Sequence, residues 1–484
     1  MQKMPLARRS VLLSMMLLAG CRATDRALNP PGGMPPGRLT NDTRAAVFAQ
    51  LWPSSEDETS DTRPWAVKTP ADRSPKMPAD RDGFFVGLSL SGGGSRSANF
   101  SAAVMFQLEQ AGLLQHVDYI SSVSGGSLAG AYYCASGAEW NPGNVQTRLA
   151  HSFAGDALFQ TLLPWNMAAF FFTDRNRSDL LAESFQQVLF TRNGRALTYG
   201  DLRPDRPRLL INATDLQSGH RFIFSNETFD ELNSNLSRYP LAYAVTASAA
   251  VPLLLHPVTV RDYSTVYRQY RHLIDGSIRD NLGVQTLVAT YAAQVNSAQS
   301  RKAADPYPHG AVFIIVDAQT NFNADISGES DLGLILNLKT ALGLTSTLLL
   351  NRASSATLAE TIVNSAPGEE TVKQLREQLK RLKTDGFVRM NDQRGRSVSV
   401  IYISLSQIHT LKRLPTATFS ERVNNIDTYF NIAPTDAFNL YQAARLLMKE
   451  KFQTKVAQVV HEIESGGNTA TTRPASQKTG NDAM

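Results

Sequence analysis

Cysteine is almost absent from this chain, whose 484 residues include only Cys21 and Cys134. Cys21 lies in an N-terminal processing motif, so Cys134 has no partner in the chain and a disulfide framework is excluded. Cys134 is predicted to pack as a small apolar residue. Histidine is also sparse, with eight residues, and no group of His, Cys and Asp has the spacing of metal ligands. The sequence therefore predicts no metal and no other cofactor.

A long apolar run and an internal repeat are also missing. Val11–Ala19 is apolar but too short for a stable membrane span, and it follows a basic segment, as in a secretory signal. Leu18-Ala19-Gly20-Cys21 resembles the lipobox of bacterial lipoproteins, which implies a signal peptide at residues 1–20 and a lipid anchor on Cys21. Arg22 directly after Cys21 favours the outer membrane. The alternative is an ordinary cleaved signal with a stray cysteine.

The chain has little net charge once that signal is removed. The formal charge is +5, but residues 1–20 contain three basic and no acidic side chains, which leaves +2 for the exported chain. The net charge therefore does not imply a basic partner surface, and no nucleic-acid partner is predicted.

The composition, with 42% hydrophobic and 19% charged residues, is that of a globular protein. Residues 21–81 contain Pro/Gly-rich stretches and are predicted to be a tether. Residues 82–450 are predicted to form one folded domain, with inserts at about 150–205 and 320–395. Residues 465–484 are predicted to be a disordered tail.

Apolar strands alternate with helices from residue 84 onward. This order predicts an α/β fold with a mainly parallel sheet that is covered by helices on both faces. The predicted strands are Phe84–Leu90, His116–Val123, Arg208–Asp215, Arg221–Ser225, Tyr270–Ile274, Val312–Val316 and Val398–Leu405. The predicted helices are Asn99–Ala111, Ser127–Ala135 and Ala242–Ala250.

The turn after the second of these strands has the pattern of a nucleophile elbow. A turn from strand to helix this tight requires small residues two before and two after the nucleophile, and Ser122 and Gly126 occupy those positions around Ser124, with Gly125 between. The usual elbow pattern has glycine at the position that Ser122 occupies here. Ser127 also has small neighbours, but Ser124 falls where the strand ends and is the preferred nucleophile.

A glycine-rich loop follows the first strand. Gly92, Gly93, Gly94 and Ser95 could direct backbone N–H groups at one point, and the loops after adjacent parallel strands share one crevice, so they are predicted to form an oxyanion hole beside Ser124. A dinucleotide site using Ser97 and Asp118 competes, but Asp118 begins its strand rather than ending it. Arg96 either contacts a lipid phosphate or anchors its own loop, and the anchor is preferred.

A nucleophilic serine requires a base, and Asp275 is the candidate. The dipeptide Asp275-Gly276 ends the predicted strand Tyr270–Ile274, so its carboxylate could reach the same crevice as Ser124. An ordinary Asp-Gly turn is the alternative. A Ser-His-Asp triad would instead require His309, His409 or His461, none of which lies in a recognisable motif.

Glycine loop, serine elbow and Asp-Gly, in that order, resemble the patatin-like phospholipases. Asn212–Gly219, Ala244–Pro252, Asp275-Gly276-Ser277 and Asp280–Val284 are similar to further segments of that family. This chain departs from the family's pattern at Ser122, Ser97 and Ser277, where one small residue replaces another. The resemblance implies a three-layer α/β/α fold with a mainly parallel sheet and a catalytic Ser-Asp dyad.

By this resemblance, Ser124 attacks acyl esters of lipids or phospholipids and Asp275 is its base, without a catalytic histidine. A Ser-His-Asp esterase and a non-catalytic envelope lipoprotein are the alternatives. Two apolar stretches, Leu162–Phe172 and Leu332–Leu350, are either core or a lipid-facing lid. The sequence leaves the head group, the acyl chain and the oligomeric state open.

Overall fold

The computed structural model describes residues 28–32, 82–163, 175–252, 254–265, 269–320, 377–378, 380–392 and 394–466. Outside them lie Cys21 with the predicted signal, the lipid anchor, most of the tether, most of Leu162–Phe172, all of Leu332–Leu350 and the tail from 467 onward. No helix in the described part of the chain is both long and apolar enough to cross a membrane.

Among the described residues, nine strands form one sheet in the order β10-β11-β9-β1-β2-β5-β8-β7, and β6 pairs with β5 off this path. The strands are β1 Phe84–Leu90, β2 Tyr119–Val123, β5 Arg208–Asp215, β6 Arg221–Phe224, β7 Val258–Asp262, β8 Gln269–Asp275, β9 Gly310–Asp317, β10 Phe387–Asn391 and β11 Ser397–Ser404. A separate small hairpin joins β3 Thr191–Arg192 to β4 Arg195–Ala196.

The five central strands β11, β9, β1, β2 and β5 are parallel, as the sequence predicts. The outer pairings are antiparallel: β10 with β11, β6 and β8 with β5, and β7 with β8. The fold is therefore α/β with a mixed, mostly parallel sheet. β7 and β10 were missed by the sequence analysis.

Two strands meet end to end beside β5. Ala213 of β5 pairs with Phe222 of β6 on one side and with Asp275 of β8 on the other. The preceding residue Asn212 pairs with Ile223 of β6 and with Val123 of β2. β2 and β8 therefore lie on the same side of β5 and run toward each other, so that their last residues are neighbours.

Helices cover both faces of the sheet, which makes three layers. They are α1 Gly94–Gln110, α2 Gly125–Ala135, α3 Pro142–Leu149, α4 Phe153–Leu162, α5 Arg177–Val188, α6 Asn226–Glu231, α7 Leu241–Ser248, α8 Ser277–Asp280, α9 Val284–Ser300, α10 Phe419–Asn424, α11 Pro434–Leu447 and α12 Gln453–Glu464. Short 3-10 helices occupy Leu114–His116, Tyr199–Asp201, Leu236–Arg238 and Leu405–Thr410, and Met448–Phe452 is a π-helical turn.

The side chains of β1 show how the two faces are filled. Val86, Leu88 and Leu90 belong to the larger core with α1, α2, α7 and α11, whereas Phe85 belongs to a second core with α9 and β10. Every residue of β1 is buried because helices pack on both sides. Cys134 lies in the larger core, as predicted, where burial raises its pKa to about 12.

Residues on both sides of the predicted domain, 82–450, contact it in the structure. Asn29, inside the predicted tether, is buried and binds the domain through its amide, which donates to the Arg261 carbonyl at 2.7 Å and accepts from the Arg261 N–H at 2.8 Å. At the other end, Val456 and Ile463 are buried in the larger core, beyond residue 450. Apolar packing and backbone pairing therefore extend the domain in both directions.

Candidate active site

Ser124 lies in a strained turn between β2 and α2. Its φ is +48° and its ψ is −120°, a conformation that non-glycine residues rarely adopt. A Cβ at Gly125 would lie 1.9 Å from the Gly94 carbonyl oxygen, and one at Gly126 would lie 2.6 Å from the Ser91 carbonyl oxygen. Only glycine therefore allows the glycine loop to pack against the elbow. Ser122 is fully buried in β2.

Ser248, at the end of α7, holds the elbow in place. Its hydroxyl accepts from the Ser124 N–H at 2.8 Å and donates to the Asn212 carbonyl at 2.6 Å. The Ser127 hydroxyl lies 3.2 Å from the Ser248 hydroxyl oxygen and is fully buried, so Ser127 supports the turn instead of facing the site. The sequence analysis missed this role of Ser248, although the segment Ala244–Pro252 was singled out by resemblance.

Asp275 meets Ser124 because β2 and β8 end against each other. The Ser124 hydroxyl lies close enough to the Asp275 carboxylate to lower its pKa. Gly276 follows in close contact with β5, where a Cβ would lie 2.3 Å from the Asn212 carbonyl oxygen. The serine and the acid that the sequence singles out are thus brought together in one buried pair.

The carboxylate of Asp275 has few other partners. The Ser277 N–H donates to its Oδ1 at 2.7 Å, and the Ser277 hydroxyl lies close enough to lower its pKa. Asp275 is 3% exposed, and this burial raises its pKa to about 6, whereas the bonds from Ser277 and Ser124 oppose that rise. A carboxyl with a pKa near 6 is still ionised at neutral pH and is a stronger base than an ordinary aspartate.

Some backbone N–H groups of the glycine loop already bind an acceptor within the fold, and others do not. The Gly92 N–H donates to the Asn281 carbonyl at 2.9 Å, and the Ser95 N–H donates to the Tyr429 carbonyl at 3.1 Å. Of the four residues predicted to form the oxyanion hole, Gly92 and Ser95 thus have N–H groups that already bind acceptors within the fold. Within the described ranges, the N–H groups of Gly93 and Gly94 meet no acceptor.

Gly94 is placed by two constraints. Its φ is +54°, and a Cβ there would lie 1.5 Å from the Thr428 carbonyl oxygen. A Cβ on Gly92 would lie 2.3 Å from the Ser277 hydroxyl and 3.5 Å from Ser124 Cβ. The loop is therefore held between the 428–429 segment on one side and the serine and acid on the other.

Arg96 anchors this loop and does not face the site. It is 9% exposed, and its Nη1 donates to the Ile426 carbonyl at 2.9 Å. Burial lowers its pKa to about 10, while the charges of Asp317 and Asp427 oppose that shift. The preferred prediction, a structural anchor, agrees with this geometry.

The competing sites predicted from the sequence are not assembled. Asp118 accepts from the Val86 N–H at 2.8 Å at the start of β2, at the opposite sheet edge from the glycine loop. His309 precedes β9 at that same opposite edge, where its ring lies 5.5 Å from Phe84. His409 binds the Ser406 carbonyl, and His461 lies in α12. In the part of the chain that the structure describes, no cluster of His, Cys, Asp and Glu could hold a metal ion.

Residues 88–288 match the family model described as patatin-like phospholipase. No curated protein matches the chain. Similar solved structures are human GIVD cytosolic phospholipase A2 (12% identity, TM-score 0.45, 80% of this chain and 60% of that one), VipD from Legionella pneumophila (13%, 0.27, 76% and 66%) and the type III effector protein ExoU (13%, 0.20, 79% and 79%). This chain thus spans about 60% of the length of the human protein.

Proposed function

Residues 88–288 are a patatin-like phospholipase domain with the α/β fold of that family, and from this premise we propose that the protein is a serine acyl hydrolase of lipids. One observation carries the proposal. Ser124 lies at a strained strand-to-helix turn, and the pairing of β2 and β8 with β5 sets it beside a buried carboxylate, Asp275, whose pKa of about 6 suits a general base.

The reaction begins with Ser124. Its Oγ attacks the ester carbonyl carbon while Asp275 takes the hydroxyl proton. The carbonyl oxygen becomes an oxyanion, which accepts hydrogen bonds from the N–H groups of Gly93 and Gly94. The N–H of Gly125, the residue after the nucleophile, is a further donor in this proposal. Each such donor contributes about 3 kcal/mol to the transition state in comparable enzymes.

The same acid completes the cycle. Asp275 returns the proton to the leaving alcohol as the tetrahedral intermediate collapses to an acyl-Ser124. Water then attacks the acyl carbon and gives its proton to Asp275, which passes it to Ser124 Oγ as the fatty acid leaves. A single carboxyl group thus serves as base and acid in both halves of the reaction.

Apolar side chains exposed near the site support a lipid substrate. Ile278, next to Ser277, is 52% exposed, and Leu254 is 38% exposed in the segment that follows α7. Leu158 and Phe159 of α4 are 64% and 63% exposed. The α4 helix is tied to the glycine loop region, because the Ala154 N–H donates to the Phe430 carbonyl at 2.8 Å beside Tyr429. Such a rim suits acyl chains better than polar esters.

The proposal is tested with purified protein on phospholipid vesicles and on a soluble p-nitrophenyl ester. We expect Ser124→Ala to abolish both activities and a fluorophosphonate to label the parent at Ser124. Ser127→Ala is the matched control, since it removes a neighbouring hydroxyl that supports the turn, and it should keep measurable turnover. An inactive parent that the fluorophosphonate does not label would favour a non-catalytic envelope protein.

The histidine triad is tested separately. His309, His409 and His461 are each replaced by Ala. Each variant should keep substantial activity, because His309 packs against Phe84 at the opposite edge, His409 binds the Ser406 carbonyl and His461 lies in α12. Loss of turnover in one folded histidine variant, with activity kept in Asp275→Asn, would favour the triad.

We also propose that a lipid on Cys21 holds the protein in the outer membrane of a bacterial envelope. The Leu-Ala-Gly-Cys motif and Arg22 support this. Cys21→Ser should release the exported protein into the soluble fraction or stall its processing. Identical fractionation and gel migration of parent and variant would contradict lipidation.

A further inference from the structure

Three segments bring positive charge together at one end of the sheet. Residues 380–385, 411–413 and 449–455, called here the basic surface, contain eight Lys and Arg residues and two acidic ones. Their excess of six positive charges is larger than the formal +5 of all 484 residues. The rest of the chain is therefore close to neutral, and the positive charge is concentrated here.

The three segments touch one another. The Lys455 ammonium donates to the Asp385 carbonyl, and the Lys412 N–H donates to a Glu450 carboxylate oxygen at 3.3 Å. Each of the three segments is thus joined to another by a hydrogen bond between a side chain and a backbone atom. The net charge of the whole sequence does not reveal this surface, since it forms only when distant segments meet.

The basic surface lies at the same edge of the sheet as Ser124. Residues 380–385 precede β10, and 411–413 follow the 3-10 helix after β11, so both extend from the carboxyl end of β11. Ile403 of β11 pairs with Val316, which pairs with Leu90, which pairs with Ser122 in β2. Three strand spacings separate β11 from β2, or about 14 Å.

Four of the charged side chains on this surface are exposed, and the Lys451 ammonium is buried among its neighbours. Lys380, Arg381, Lys412 and Arg413 are exposed to solvent. The Lys451 ammonium has no hydrogen-bond partner within the described ranges, and burial together with the nearby charge of Lys455 lowers its pKa. Like charges this close repel one another, and a bound anion would offset the repulsion.

We propose that the basic surface docks the protein on an anionic lipid surface, with the Ser124 site held against the layer that contains the substrate. This inference rests on the proposed function. Lipid is favoured over nucleic acid because apolar residues, Ile278 among them, are exposed beside the site at the same edge, and these would enter an acyl layer.

Binding is measured apart from catalysis. The full chain carries Cys21→Ser, which removes any acyl anchor, and Ser124→Ala, which removes turnover. Its partition is compared on phosphatidylcholine vesicles with and without phosphatidylglycerol. We expect tighter binding to the anionic vesicles, which weakens as salt is added. Lys412→Glu with Arg413→Glu should weaken that binding about tenfold or more.

The matched control makes the same charge change at the opposite edge. Arg301 and Lys302 are exposed after α9, before β9 begins, and their double replacement by Glu should change binding less than about twofold. If the Lys412/Arg413 variant does not fold, Lys380→Glu with Arg381→Glu tests the same surface. With Ser124 intact, the folded variant should lose vesicle hydrolysis but keep soluble-ester hydrolysis.

Equal binding to both kinds of vesicle, or equal losses from both double variants, would overturn the docking surface. So would binding to duplex DNA that is as tight as binding to anionic vesicles and equally sensitive to Lys412→Glu with Arg413→Glu. An inactive protein that still binds anionic vesicles through this surface would contradict the proposed hydrolase alone.

Discussion

Asp275 and Asp317 are two buried carboxylates at the same sheet edge, and each is the last residue of its strand. Both are at most 3% exposed, and burial raises the pKa of both. Asp317 accepts from the Tyr402 hydroxyl at 2.7 Å and from the Gln319 N–H at 2.9 Å, and it lies near the Arg96 charge. These partners hold it behind the glycine loop.

Asp275 differs in having Ser124 among its partners. That serine occupies the strained elbow, whereas the partners of Asp317 lie in regular strand, helix or the segment after a strand. Burial and a raised pKa are therefore shared by a structural acid and a candidate catalytic acid. What separates the two is whether a partner can react.

The largest predicted effect separates these acids by activity. Asp275→Asn should lower turnover about 10³-fold or more, as should Ser124→Ala, and the double variant should be scarcely worse because the two residues act as one unit. Asp317→Asn, the matched control, should cost less than about tenfold, through displacement of the glycine loop. The measurement is kcat/KM on a soluble ester.

Two results would contradict this distinction between Asp275 and Asp317. A folded Asp317→Asn protein that is as inactive as Asp275→Asn would place Asp317 in the catalytic machinery. Additive losses in the Ser124/Asp275 double variant would show that the two residues act independently.

Much of this site follows from the sequence because it depends on local patterns. Arg208–Asp215 and Phe84–Leu90 were predicted with their exact bounds, since apolar runs with turn residues at their ends define strands. Ser124 and Asp275 were predicted because small residues or a turn dipeptide surround each of them.

The rest depends on contacts between distant segments. The meeting of β2 and β8 follows from the pairing of both with β5, and no local pattern reveals that β8 is antiparallel to it. The use of the Gly92 and Ser95 amides by Asn281 and Tyr429 is equally non-local. The glycine loop could therefore be predicted as a site, but not which of its amides are available.

The second effect concerns pH and depends on Ser277. Asp275 must be ionised to accept the serine proton, so with a pKa of about 6 the activity should fall as pH drops below that value. The Ser277 hydroxyl lowers this pKa by a hydrogen bond. Ser277→Ala should therefore move the acidic limb of the kcat/KM profile to higher pH, whereas Ser277→Thr, which keeps a hydroxyl, should move it less.

A purely structural role for Ser277 predicts a different result. In that case kcat/KM would fall by one factor at every pH, and the limb would stay where it is in the parent. Asp317→Asn is again the control, because it should change the rate without moving the limb.

The smallest effect is on stability, and it should be larger for Asp275 than for Asp317. The pKa of Asp275 in the folded protein, about 6, is above the ordinary 3.8, so the folded state binds its proton more tightly and loses stability as pH rises through that window. At pH 8 Asp275→Asn should therefore raise the free energy of unfolding, by about 2–3 kcal/mol at most. The pKa of Asp317 is raised as well, so Asp317→Asn should shift the free energy of unfolding in the same direction, but by less, because the buried Arg96 charge then loses a nearby carboxylate. Denaturant unfolding at pH 8 measures both variants, and an Asp275→Asn protein less stable than the parent would show that the ionised acid stabilises the fold.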